Sequence, residues 1–248
     1  MSGHNRWSKI KRTKGVLDKK KGKLFTKLLR EIQVSARMGG KDPKSNPRLR
    51  EAVAEARANN MPKDTIDRSI ARGAGELDGS TYEQVTYEGY GPGGAALMIE
   101  CLTDNRNRTV ADLRAILVRN QASLAEAGSV GWLFTKKGSL SVPKNGTAEE
   151  RLMEIALEAG AEDLSDDGDR WEILTPYEKF EAVKSALELN KIIFQSAEPA
   201  LVAQNTIELQ GDAAEQMLKL LELIEDLDDV QKVHSNFDLS EKELARLT

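Results

Sequence analysis

The sequence is short of the side chains on which most protein chemistry depends. Among 248 residues there is one cysteine, Cys101, and there are two histidines, His4 and His234. A single cysteine excludes an internal disulfide and fits a reducing compartment. With two histidines so far apart, it also excludes a zinc site of the usual nitrogen and sulfur ligands. No apolar run approaches the ~20 residues of a membrane span, and the N-terminus lacks the apolar stretch of a secretory signal. A transit peptide would also be basic and poor in acids, but typically Arg-rich; here lysine dominates. Residues 89–94, G-Y-G-P-G-G, match the spacing G-x-G-x-x-G. A dinucleotide loop needs a helix after the glycines, whereas AALMIECL reads as a strand, so a hairpin loop is expected. No nucleophile–base pair and no metal cluster is legible. The expectation is a cytoplasmic, non-enzymatic protein with no cofactor, no metal and no small-molecule substrate.

What the chain does have is charge, unevenly placed. The formal net charge is −4. Residues 1–75 hold 20 basic and 7 acidic side chains, net +13, and residues 76–248 hold 16 and 33, net −17. A basic third is thus joined to an acidic body. The first thirty residues hold eleven cations and one acid, Asp18. Such a stretch cannot bury itself, but it can lie along a polymer whose phosphates release counterions on binding. The expected contacts are Arg6, Lys9, Lys11, Arg12, Lys14, Lys19, Lys20, Lys21, Lys23, Lys27, Arg30 and Arg37. Trp7 stands among them without apolar neighbours and suits stacking on an unpaired base. The rival role for Trp7 is to staple the arm onto Leu24 or Phe25.

Residues 1–22 read as an extended arm. A helix is expected from Lys23 to Gly39-Gly40. At 100° per residue, Lys27, Arg30 and Arg37 fall within about 40° of Lys23, and Phe25, Leu28, Leu29, Ile32 and Ala36 fall opposite. Asn46 and Pro47 predict the cap and first residue of a second helix ending at Asn59-Asn60. Pro62 and Gly73 bracket a third, and together they suggest a small helical bundle. The charge change places a boundary near 76–80.

From Tyr82 the pattern turns to strands. Two strands flank the glycine turn, and a helix follows with Thr109 and Asp112 as a capping pair. Arg106 and Arg108 precede its N-terminus, where an anion can bind. They are either a second phosphate contact or two surface arginines in a loop. Val130–Phe134 reads as a buried strand. Residues 138–204 read as β-α-β-β-α-β, a ferredoxin-like unit, with Asp166, Asp167 and Asp169 in a hairpin. TIELQ, a helix from Ala213 to Leu227 and VQKVHSNF complete the unit begun by AALMIECL, its helix and VGWLF. The fold class is α+β: an N-terminal helical bundle, then two ferredoxin-like (βαββαβ) α/β domains, the second inserted into the first. The expected divisions are the arm 1–22, a helical domain 23–76, a discontinuous domain 80–135 with 205–248, and an insert 138–204.

The blocks GHNRWSKIKRTKGVLDKKKGKLFTKLLREI, GGKDPKSNPRLREAVAEARANNMPKDTIDRSI, YEGYGPGG, TDNRNRT and GSVGWLF resemble the YebC family of bacterial regulatory proteins. The resemblance covers nearly the whole chain and is densest through residue 135. It implies three domains, no enzymatic activity, and a transcriptional regulator that binds DNA. Mitochondrial relatives are translational activators, and some bacterial members act on ribosomes stalled at proline-rich sequences. So the resemblance leaves two partners open, DNA or ribosomal RNA. A Lys-His pair common in the family's first block stands here as Lys11-Arg12, which keeps the charge and removes the imidazole.

Overall fold

The computed structural model describes residues 21–145 and 147–247. The chain begins there with α1 (Lys21–Gly39), α2 (Pro47–Ala58) and α3 (Lys63–Gly73). Leu28, Ile32 and Ala36 of α1 pack on Leu49, Val53 and Ala56 of α2 and on Ile66 of α3. These residues recur at three- and four-residue spacing, which puts them on one face of each helix. A β-carbon at Gly73 would lie 2.3 Å from Gln33 O, so only glycine lets α3 approach α1 this closely. Asn46 does more than cap α2. Its Oδ1 accepts from Leu49 N at 3.1 Å, and its Nδ2 donates to Ser35 O and Gly40 O, both at 2.8 Å. One buried amide therefore closes α1 and opens α2.

The first sheet has the order β3-β1-β2-β9, from β1 (Glu83–Tyr90), β2 (Ala96–Thr103), β3 (Ser123–Ala125) and β9 (Val230–Ser235). Its neighbouring strands run antiparallel. On one face lie α4 (Arg106–Arg119) and α7 (Gly211–Glu225), burying Leu113, Leu117, Met217, Leu221 and Ile224 against Leu97, Ile99 and Val233. The second sheet interrupts this unit. It comprises β4 (Phe134–Pro143), α5 (Glu149–Glu158), β5 (Asp163–Asp166), β6 (Arg170–Pro176), α6 (Phe180–Leu189) and β7 (Ser196–Ala203). The order β5-β6-β4-β7 is that of a ferredoxin-like sheet. The expected class, α+β with a helical bundle ahead of two helix-backed sheets and the second set into the first, is what the structure has, and the second sheet follows the βαββαβ order.

Three local expectations are corrected. Val130–Phe134 is not a strand: Gly131–Leu133 is a 3-10 turn, and only Phe134 begins β4. The Glu88 carboxylate takes the backbone N–H groups of Val130 and Gly131, so these donors cannot serve a ladder. The stretch reads as apolar because Val130 and Phe134 pack with Ala96 on the sheet face away from α4 and α7. TIELQ contributes only β8 (Ile207–Glu208), in parallel with β10 (Phe237–Asp238). Its place in the first sheet is taken by β1, which pairs with both β2 and β3. Finally, α4 starts at Arg106 rather than Thr109, because Asn105 Oδ1 accepts from Arg108 N at 3.1 Å. A short helix, α8 (Glu241–Leu247), closes the described chain.

Asn46→Ala removes a cap and two buried bonds together. The expected loss is about 2–4 kcal/mol, read from urea unfolding. Asn46→Asp keeps the acceptor and should recover part of it. A loss below ~0.5 kcal/mol for Asn46→Ala would mean that the junction of α1 and α2 is held elsewhere.

Candidate nucleic-acid interface

Arg6, Trp7, Lys9, Lys11, Arg12, Lys14, Lys19 and Lys20 lie outside the described residues, as does the side chain of Lys21. The remaining expected contacts are placed, and most are taken by carbonyls or carboxylates of the protein itself. Lys23 Nζ donates to Asp226 O at 3.0 Å and pairs with the Asp226 carboxylate at 3.3 Å. Lys27 Nζ donates to Glu225 O at 2.7 Å. Arg30 Nη1 meets Asp229 Oδ1 at 2.6 Å, with its side chain 11% exposed. Its guanidinium also lies 5.1 Å from the centre of the Tyr82 ring. Arg37 alone of the four is exposed, donating to Tyr82 O at 3.4 Å.

The cause lies at the other end of the sequence. The last turn of α7 has no basic residue, and Glu225, Asp226, Asp228 and Asp229 crowd its C-terminus. Carbonyls and carboxylates there repel one another, since a helix C-terminus already carries partial negative charge. Lys23 and Lys27 reach across from α1 and supply the missing cations. The stripe expected to face solvent is therefore the seam between the bundle and the first sheet.

Asp229 is the centre of that seam. Its carboxylate, 8% exposed, accepts from Arg30, from Arg108 Nη2 at 2.9 Å and from Thr109 Oγ1 at 2.6 Å. Burial pushes this carboxyl up. The bonds from Thr109 and Arg108 and the charges of Arg30 and Arg108 outweigh that and hold it below its usual range. Arg108 also pairs with Asp104 at 2.8 Å. Arg106 makes a two-pronged pair with Glu83, at 2.7 and 2.6 Å, on the surface. So Arg106 and Arg108 are neither loop residues nor an open cradle. They lie in the first turn of α4, where Asn105 caps the backbone and carboxylates take both guanidinium groups.

Other cations of the bundle stay outside. Arg50 and Arg57 on α2, and Lys63, Arg68 and Arg72 on α3, are exposed and make no ion pair among the described residues. Sequence reading passed over them because they alternate with acids. It also missed Asp229, although acids at a helix end without a cation nearby signal a distant partner. Cys101 is buried on β2, and burial, with the Asp229 charge behind it, pushes its thiol up to about 12, so it stays protonated and inert. His234 is buried, with Nε2 2.7 Å from Glu100 Oε1.

These features define a three-part α+β chain with a cationic helical front latched to two acidic sheet layers. Its relatives agree. Residues 5–76 match the family described as TACO1/YebC protein N-terminal domain, and residues 82–237 match TACO1/YebC second and third domain. The chain belongs to the TACO1/YebC family. A protein of Chlorobium luteolum is 53% identical over 248 residues, all of this chain and 99% of its own length. One of Chloroherpeton thalassium is 54% identical with the same coverage, and one of Geobacter sulfurreducens is 51% identical over 247 residues, covering each chain in full. Each is named "Probable transcriptional regulatory protein". The crystal structure of a conserved hypothetical protein from Aquifex aeolicus is similar at a TM-score of 0.83 and 42% identity, over 90% of this chain and 93% of that one.

Asp229→Ala leaves Arg30 inward without its anion and should cost about 3–5 kcal/mol. The pH dependence has a definite sign. A carboxyl held below its unfolded value stabilises the fold above that value, about 3.9, and the contribution is lost as pH falls from there through the lower value of the folded state. Asp229→Asn should therefore flatten part of the stability loss seen by urea unfolding as pH falls below about 5. An unchanged acid limb would remove Asp229 from the seam's electrostatics.

Proposed function

We propose that the chain is a non-enzymatic regulator of gene expression that binds DNA through its basic N-terminal region. The observation that supports this best is the charge partition, net +13 over residues 1–75 against −17 over 76–248. An acidic body repels phosphate, so binding is confined to one end and oriented. The naming of the relatives as transcriptional regulatory proteins points the same way. Arg6, Lys9, Lys11, Arg12, Lys14, Lys19, Lys20 and Lys21 make the main phosphate contacts, and Trp7 stacks where a base is unpaired. Arg37, Arg50, Arg57, Arg68 and Arg72 extend the surface from the bundle. Lys23, Lys27, Arg30 and Arg108 position that surface by joining bundle to sheet, and Arg106 braces α4 on β1. The divisions 1–22, 23–76, 80–135 with 205–248, and 138–204 then act as arm, basic platform, acidic anchor and insert. The protein works in the cytoplasm without a cofactor.

Binding that neutralises roughly six to ten phosphates should weaken a thousand- to a hundred-thousand-fold between about 50 and 200 mM salt, as fluorescence anisotropy would read. A flat dependence would contradict the electrostatic mode. The polymer is tested by crosslinking in growing cells, followed by sequencing of both bound DNA and bound RNA. DNA as the dominant product is expected. Ribosomal RNA as the dominant product would overturn that reading and make the chain a ribosome-bound translation factor.

A further inference from the structure

The sheet face away from α4 and α7 bears a second built surface, far in chemistry from the basic arm. Trp132 is 66% exposed and Tyr90 is 40% exposed. An exposed indole is ordinarily free to turn, but this one is fixed. Trp132 Nε1 donates to Ser129 O at 3.1 Å, and Tyr90 Oη donates to the same carbonyl at 3.4 Å. The turn beneath them is held by one side chain. Glu88 accepts from Gly128 N and Val130 N, both at 2.7 Å, and from Gly131 N at 2.9 Å. Those bonds bring its carboxyl below the usual range against the upward push of burial. Val130 and Phe134 anchor the turn on both sides in the apolar cluster with Ala96. Two aromatic rings are thus presented to solvent in a fixed geometry, and their ordering cost is met within the fold.

The charge around them selects the ligand. Between Asn120 and Thr135 the only charged residue is Glu126, and it is exposed. Lys136, next along β4, lies 3.7 Å from the centre of the Tyr177 ring and is engaged there. With Glu88 beneath and a body of net −17 around it, the platform repels phosphate and attracts cations. Beside it runs β3, the edge of the first sheet, with Ser123 and Ala125 paired to Tyr90 and Glu88 on its inner side. An edge strand offers backbone groups to an extended segment. An indole face is the best aromatic surface for a guanidinium.

The geometry points to a protein-docking site: Trp132 and Tyr90 receive an arginine of an extended, basic segment of a partner protein lying along β3. This site is distinct from the nucleic-acid surface and goes beyond the proposed function.

The test uses the full chain, labelled with nitrogen-15, and the peptide acetyl-GRVRVRG-amide. The Trp132 indole signal is assigned by its loss in Trp132→Phe, and Trp7 and Trp171 serve as internal references. The arginine peptide should shift the Trp132 signal saturably, and the glutamate counterpart acetyl-GEVEVEG-amide should not. Trp132→Leu and Tyr90→Leu, each with an unchanged melting temperature, should raise the peptide Kd about two- to thirty-fold. Three results would overturn the site. One is a Trp132 signal unmoved at saturating peptide. Another is an unchanged Kd in both folded variants, which would mean that the body's charge alone holds the peptide. The third is a saturable shift with oligouridylate in place of the peptide, which would make the platform a base-stacking surface.

Discussion

The structure turns on one buried carboxylate. Asp229 gathers Arg30 from the helical bundle and Arg108 and Thr109 from α4, so one anion ties together segments some two hundred residues apart in the chain. Two oppositely charged groups out of water are costly unless each is fully bonded, and here the carboxylate is. Around it, Lys23 and Lys27 close the C-terminal carbonyls of α7. The helix α1 is therefore used on both faces: its apolar face builds the bundle, and its basic face holds the bundle to the first sheet. The arm is then joined to a helix with a fixed position on the acidic body.

Much of this architecture was legible in the sequence. The caps at Asn46-Pro47 and Gly39-Gly40, the opposed faces of α1 and the βαββαβ rhythm of residues 138–204 each express a local rule. The places where sequence reading failed involve partners remote in the chain. VGWLF has the composition of a strand, but Glu88 captures its backbone. TIELQ has the alternation of a strand, but β1 already occupies the central position it would fill. The cations of α1 were visible as cations, yet periodicity shows which side chains share a face and not what that face meets. Their partners sit at residues 225–229, and only the fold brings the two ends together. Trp132 was hidden for a similar reason: inside GSVGWLF it reads as core, and the carboxylate that props it outward comes from β1.

This division of labour changes where phosphate can bind. A lysine whose ammonium group already holds a helix C-terminus has little to offer a polymer, and removing it should loosen the protein rather than the complex. Under the proposed function, the cations of the arm and the outward arginines of α2 and α3 are the ones left for a polymer. The most direct measurement is the slope of log affinity against log salt for a DNA duplex, compared between two variants of the full chain. Replacing Lys19, Lys20 and Lys21 by alanine should lower the slope by about 0.9 for each phosphate no longer neutralised, with stability unchanged. Lys27→Ala should lower stability and leave the slope as it was. If Lys27→Ala instead reduces the slope and the arm substitutions do not, the basic face of α1 is the binding surface, and the division between arm and seam is wrong.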